Sequence, residues 1–225
     1  PPVSSAERAM RALVGTAARV RERGVAGMLS SSLDDLAAWA SDEQSDILQV
    51  AAPDGTVTLL FSDIEDSTAL NDRLGDKAWV RVLAAHDALV RAMVDKRRGR
   101  VVKTAGDSFM VAFRDPVAAV LAARGIQRAL ARTLDPRLRL TPVRVRIGVH
   151  TGTVISRDGD YFGRNVSMAA RVAALADGGE VLVTQAVRDE TSESGDRRMR
   201  FEEAGTVELK GLPGEHDLWR LVVET

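Results

Sequence analysis

The stretch Thr56 to Thr68, TVTLLFSDIEDST, decides how the rest of this chain is read. Val57, Leu59 and Phe61 alternate with Thr58, Leu60 and Ser62 in a run that is apolar at nearly every position, the pattern of a strand buried on both faces. The strand ends in acid. Asp63 stands at its C-terminal end, Glu65 and Asp66 follow at once, and Ser67 and Thr68 are N-cap residue types that open a helix. A carboxylate beside a helix N-terminus, whose free N–H groups attract phosphate, suits a metal-bound polyphosphate. Taken alone, the same residues also describe a solvated turn, because acidic strand-to-helix turns are common.

A chain of 225 residues with 45% hydrophobic content can bury a core, and its length suits one main domain of about 150 to 200 residues with an appendage. Thirty-one basic residues against 32 acidic ones leave a net charge of -1. That balance gives no global drive toward nucleic acid or a membrane surface, so neither is expected as a partner and contacts must be argued locally. The absence of cysteine excludes disulfides and thiolate metal sites and fits a reducing compartment. His86, His150 and His216 show no metal-ligand spacing and read as packing or surface residues. No apolar run approaches about 18 residues, and Pro1-Pro2 opens without a charged leader, so a soluble, cytoplasmic domain is expected. The missing initiator Met fits a processed product or a piece of a longer parent, which leaves room for a membrane anchor elsewhere.

Residues 1–52 differ in texture from the remainder. Ser4 to Glu7 forms a capping box, and Met10, Leu13, Val14, Ala17 and Val20 recur at helical spacing toward Gly24. A second helix is expected from Ser32 through Trp39, then a polar connector at Ser41 to Ser45, and Pro53-Asp54-Gly55 marks a boundary. The segment reads either as packing for the domain at 53–225 or as a regulatory or dimerising helical element. Beyond the opening strand, helices are predicted over Thr68–Leu74 and Asp76–Lys96, with Lys96, Arg97 and Arg98 complementing the second helix dipole. Arg100–Thr104 and Ser108–Phe113 form a hairpin with Ala105-Gly106-Asp107 at its tip. A helix over Asp115–Leu134, a loop over Pro136–Pro142 and a strand over Val143–Ile155 follow, the strand alternating Val143, Val145, Ile147 and Val149 against Arg144, Arg146 and Gly148. Asp158-Gly159-Asp160 turns into a helix over Gly163–Leu175, which Gly178-Gly179 closes. Strands at Glu180–Thr184, Arg200–Leu209 and Asp217–Val223 and a short helix at Gln185–Thr191 complete the chain. This order predicts an α+β sandwich, with helices over a mainly antiparallel sheet.

If the strands bearing Asp63 and Asp107 are neighbours, their carboxylates converge and suit two divalent ions acting on a triphosphate. Four ordered segments strengthen that idea: FSDIEDST, KTAGDSFM, DYFGRNVSMAAR and VELKGL. Together they resemble the class III nucleotidyl cyclases over roughly Thr56 to Val223, and within them the bacterial class IIIc adenylyl cyclases. The resemblance implies the ferredoxin-like, palm-like fold of that family and a head-to-tail homodimer that converts ATP to cyclic AMP and pyrophosphate with Mg2+ or Mn2+. It casts Asp63 and Asp107 as metal ligands, with Ile64 lending a carbonyl and Glu65, Asp66, Ser67 and Thr68 cradling the triphosphate. Lys103 and Asp160 take the adenine, with Ala170 adding shape selection, Arg171 stabilises charge at the α-phosphorus, and Lys210 holds the terminal phosphates. The metal aspartates of one subunit would face Lys103, Asp160 and Arg171 of the other.

Two positions depart from the family pattern. Ser167 stands where Asn usually orients the ribose, which predicts turnover lowered on the order of tenfold through the loss of about 1 to 1.5 kcal/mol. Asn165, two positions earlier, faces another direction on a helix and is a poor substitute. Asp66 stands where Gly is usual, adding negative charge near the phosphates. These departures favour, as a rival, a cyclase-like sensor that binds nucleotide with little turnover. A diguanylate cyclase is disfavoured because Asp177-Gly178-Gly179-Glu180 falls between a helix and a strand, and a serine hydrolase because Met110 occupies the second glycine position of the nucleophile elbow.

Overall fold

A computed structural model describes residues 47, 49–153, 160–196 and 198–224, without the side chains of residues 160–162. The helices expected over Ser4–Gly24 and from Ser32 through Trp39 lie outside the described residues. After β1 (Thr56–Ile64) come α1 (Ser67–Leu74), α2 (Asp76–Asp95), β2 (Arg100–Ala105), β3 (Ser108–Phe113), α3 (Pro116–Ala131) and α4 (Pro136–Leu140). β4 (Val145–Thr153), α5 (Asp160–Leu175), β5 (Val181–Thr184), α6 (Gln185–Ser192), β6 (Phe201–Glu208) and β7 (Glu215–Leu221) complete the order.

The strands form one seven-stranded sheet in the order β2-β3-β1-β4-β5-β7-β6. β1 lies inside it between β3 and β4, which is why its residues are buried from Val57 onward and why it carries apolar groups on both faces. Every pairing among the described strands is antiparallel except β4 with β5, which α5 joins as a crossover. The expected α+β sandwich is therefore what forms. One correction concerns Pro136–Pro142, predicted as loop, where α4 forms over the first five residues. Asp135 caps it by accepting from the Arg137 N–H at 2.9 Å, and Pro136 supplies a preset φ at the first helical position.

Strand alternation divides the core into two layers. Leu60, Ile64, Phe109, Val111, Val145 and Ile147 face α2, α3 and α6 on one side of the sheet. Val57, Leu59, Phe61, Met110 and Ala112 face α5 on the other, against Val166, Ala169, Ala170 and Ala173. Ile47 is fully buried in this second layer, so its packing reaches back past the boundary expected at Pro53. Each large apolar side chain so buried contributes about 1.5 to 3 kcal/mol. The other flank of α5 packs Met168 and Val172, with Ala176 just after the helix, on Leu182, Leu209, Leu212 and Leu218. α5 can lie this low because β4 offers Gly148 beneath it: a Cβ there would overlap the Ala173 backbone and meet the Ala169 carbonyl oxygen at 2.8 Å. No helix among the described residues is long and apolar enough to cross a membrane.

Candidate active site

Antiparallel pairing sets Ser62 opposite Phe109, so the end of β1 and the tip of the β2–β3 hairpin meet at one end of the sheet. Asp63 and Asp107 therefore converge. The Asp107 Oδ2 accepts the Ile64 N–H at 2.8 Å, tying the hairpin tip to the residue after Asp63. Burial above all pushes the Asp107 carboxyl up to about 6, the Asp63 charge adding to the rise while the Ile64 N–H and the Ser67 hydroxyl oppose it. Asp63, 3% exposed, is likewise raised by burial, against the pull of Arg146. Arg146 sits directly across from Asp63 on β4 and grips both its oxygens, Nε to Oδ1 at 3.0 Å and Nη2 to Oδ2.

Two close carboxylates whose mutual repulsion a cation would relieve are hard oxygen donors of the kind Mg2+ and Mn2+ take. No group of three or more His, Cys, Asp or Glu gathers for a metal among the described residues. Two carboxylates suffice for an ion that draws its other ligands from substrate phosphates and water.

The turn after β1 divides into two parts. Glu65 is engaged with the protein: its N–H donates to the Arg144 carbonyl at 2.8 Å, and its Oε1 accepts from the Gly178 N–H at 2.8 Å. The Arg144 guanidinium donates twice to the Gly178 carbonyl and lies 3.5 Å from Glu65 Oε2. Asp66 is exposed, has left-handed backbone with φ of 53°, and makes no side-chain cap to α1. A positive φ is the reason glycine suits this position, and Asp is among the few other residues that tolerate it. Ser67 and Thr68 begin α1, so the N–H groups of Asp66, Ser67 and Thr68 are among those the helix leaves for an anion.

α5 carries the second group. Its buried positions 166, 169, 170 and 173 face the sheet, and 168 and 172, with Ala176 just beyond its end, face the β5–β7 side. Ser167 and Arg171, one turn apart and half-buried, share the remaining stripe with exposed Arg164, Ala174 and Leu175. Ala170, 3% exposed, is part of the core and offers no outward surface. Asn165 turns toward β4, accepting from the His150 Nε2–H at 3.0 Å through Oδ1 and donating to the Thr153 carbonyl at 2.6 Å through Nδ2. Asp160 begins α5, and its side chain lies outside the description. Lys103, half-buried on edge strand β2, is opposite Met110 just past a bulge. Lys210 is exposed in the turn after β6, held on α5 by its buried neighbours Leu209 and Leu212.

A family model described as the adenylate and guanylate cyclase catalytic domain matches residues 50–223. The chain belongs to that family. Its cyclase domain is similar to the receptor-type adenylate cyclase ESAG 4 of Trypanosoma brucei brucei, 32% identical over 75% of this chain and 17% of that protein. Receptor-type adenylate cyclase B of Leishmania donovani is 34% identical over 76% of this chain and 16% of that protein. The chain thus spans less than a fifth of the length of either relative. A solved Trypanosoma brucei adenylate cyclase, in its monomeric state, matches with a TM-score of 0.65 at 32% identity, covering 76% of this chain and 90% of that one. The adenylyl cyclase CyaB of P. aeruginosa has the same fold, with a TM-score of 0.65 at 24% identity over 76% and 95% of the two chains. Nothing in these relatives singles out the class IIIc bacterial subtype.

Arg146 is the cyclase-domain site residue that sequence reasoning missed. Its signal was a charge set between apolar residues of an interior strand, in step with Gly148, the residue on which α5 rests. A side chain there faces a covered layer and must find a partner, which Asp63 supplies.

Proposed function

We propose that this cyclase domain converts ATP to 3′,5′-cyclic AMP and pyrophosphate, in sites shared head-to-tail between two copies of the chain. The observation that carries the reading is the division of the machinery. Asp63 and Asp107 converge at the strand ends, while Ser167 and Arg171 stand on the stripe of α5 turned away from the sheet. A two-fold partner would bring its own stripe to these aspartates. Two divalent cations, Mg2+ or Mn2+, held by Asp63, Asp107 and the Ile64 carbonyl would lower the pKa of the ribose 3′-hydroxyl and neutralise triphosphate charge.

The chain's own groups do the remaining work. The N–H groups of Asp66, Ser67 and Thr68 face the phosphates, and Lys210 binds their terminal end. Arg171 stabilises the charge that builds as the 3′-oxygen bonds to the α-phosphorus and the bond to pyrophosphate breaks, the 3′ proton leaving to water. Ser167 donates one hydrogen bond to the ribose. Lys103, which only donates, suits adenine N1, and Asp160, which accepts when ionised, suits the N6 amine. Guanine inverts both sites, so ATP is preferred over GTP by about 10² to 10⁴-fold. That the named relatives are adenylate cyclases supports the same base, and their receptor type supports a catalytic domain on the cytoplasmic side of a membrane-anchored parent.

Incubating the chain with ATP and Mn2+ and separating the products should yield cyclic AMP. Asp63→Ala and Asp107→Ala should each abolish it. Binding of ATP without turnover would leave the sensor reading in place, and substantial activity in either variant would overturn the two-aspartate assignment.

A further inference from the structure

The net charge of -1 hides a strongly basic run on the side of the sheet away from α5. From Arg128 to Arg144 the chain carries five arginines, at 128, 132, 137, 139 and 144, the last of them held by Glu65 and the Gly178 carbonyl, and one acid, Asp135. That acid is already taken: it caps α4 and holds the Arg137 guanidinium at 2.6 and 3.0 Å. Among these charges stand Leu134 and Leu140, 83% and 84% exposed, the two barest large apolar side chains among the described residues. Their companions behave differently. Leu138 is 3% exposed and fastens α4 to the core, and with Leu130 it lines a cavity of about 360 Å³ beside Arg139 and Arg144. The two outward leucines are therefore displayed on the flanks of an anchored element. Each would bury apolar area if a surface met it.

From this we infer that the face formed by the end of α3, by α4 and by the residues leading to β4 docks on an anionic phospholipid surface, with Leu134 and Leu140 entering the headgroup boundary and Arg132 and Arg139 resting on phosphates. Leucines interleaved with arginines match that boundary in both polarity and charge. A nucleic acid fits less well, because no Phe, Tyr or Trp lies between Arg114 and Asp160 to stack on bases. α3 and α4 cover the opposite side of the sheet from α5, so pairing of two copies through the α5 stripe leaves the face open. Such docking does not depend on turnover.

The test is sedimentation of the 225-residue chain with phosphatidylcholine vesicles, with and without phosphatidylserine. The chain should sediment with the phosphatidylserine vesicles, stay in solution with pure phosphatidylcholine, and be released by raised salt. Leu134→Ser with Leu140→Ser should lower partitioning on the order of tenfold, and Arg132→Gln with Arg139→Gln by about fivefold for each charge. All four side chains are exposed, so circular dichroism should report an unchanged fold. No sedimentation with anionic vesicles, equal sedimentation with neutral ones, or variants indistinguishable from the parent would each overturn the inference. Capture of a polyglutamate peptide without vesicle binding would overturn it in favour of an acidic protein partner.

Discussion

His86 makes the stability of this domain sensitive to acid, and the size of the effect follows from its surroundings. It is 1% exposed on α2, stacks edge-on against Phe109 with ring centroids 5.7 Å apart, and its Nε2 has no hydrogen-bond partner among the described residues. Burial pushes the imidazole down to about 4 from an ordinary 6.5, with Asp87 pulling weakly the other way. The folded protein therefore favours neutral His86, whereas the unfolded chain binds a proton near pH 6.5. Stability from this group is complete above pH 6.5 and is lost as pH falls toward 4. At about 1.36 kcal/mol per unit, lowering the pH to 5 costs about 2 kcal/mol. His150, also held down to about 4 by burial, adds a similar loss, and Asp107, raised to about 6, gives part of it back. Those two effects are common to the parent and to His86→Leu, and they cancel in the difference. The variant also removes an unpaired buried nitrogen, so at pH 7 it should lie within about 1 kcal/mol of the parent. Urea unfolding followed by circular dichroism at pH 7 and pH 5 should show the parent losing about 2 kcal/mol more than the variant. Equal losses would refute the reasoning.

Four further outcomes test the site. Gly148→Ala should destabilise the fold by about 1 to 3 kcal/mol and lower the cyclic AMP rate more than that loss explains, because α5 must lift with Ser167 and Arg171; an unchanged melting temperature and rate would contradict the close packing on β4. Asp66→Gly should lower KM for ATP about threefold by removing a charge at the phosphate turn, with stability within about 1 kcal/mol, since strain relieved at positive φ offsets entropy gained by the unfolded chain. Mixing Asp63→Ala and Arg171→Ala subunits should restore up to one intact site per heterodimer, and a mixture that stays inactive despite subunit exchange would argue against shared sites. Ser167→Asn should raise kcat about tenfold if the ribose contact limits turnover.

Where hydrophobic period and chain order carry the information, the sequence was legible. β1 reads as an interior strand because both of its faces are apolar, and the hairpin reads from the three residues between two short strands, so the convergence of Asp63 and Asp107 required only that β3 lie beside β1. α4 was missed because five residues are too few to display a period, although Asp135-Pro136 is a helix start in its own right. Arg144 and Arg146, before and within β4, read in the sequence as one face of an alternation. Which face α5 would cover is a tertiary fact, and with it came the partner of Arg146 and the bond of Arg144 to Gly178. Glu65 misled for the same reason. Its position in the turn suggests a phosphate cradle, but its N–H and carboxylate are spent on the Arg144 carbonyl just before β4 and on the loop after α5, contacts far away in sequence.

The contrast between Asn165 and Ser167 shows how that packing bears on the proposed chemistry. Two helical positions apart, they differ by roughly 200° around α5, enough to send one side chain to the sheet and the other to the outward stripe. The Asn165 amide is used twice, by His150 and by the Thr153 carbonyl, and Gly152 leaves the space it fills, since a Cβ there would meet Asn165 Oδ1 at 2.6 Å. His150 is fixed from its other nitrogen by Thr184 Oγ1 at 3.0 Å, so moving Asn165 would leave polar groups unpaired between α5, β4 and β5. Asn165 therefore cannot be lent to the ribose. In the shared-site reading, that contact rests on the single hydroxyl of Ser167, which locates the cost of the departure in sugar orientation and leaves metal binding and base choice to residues elsewhere.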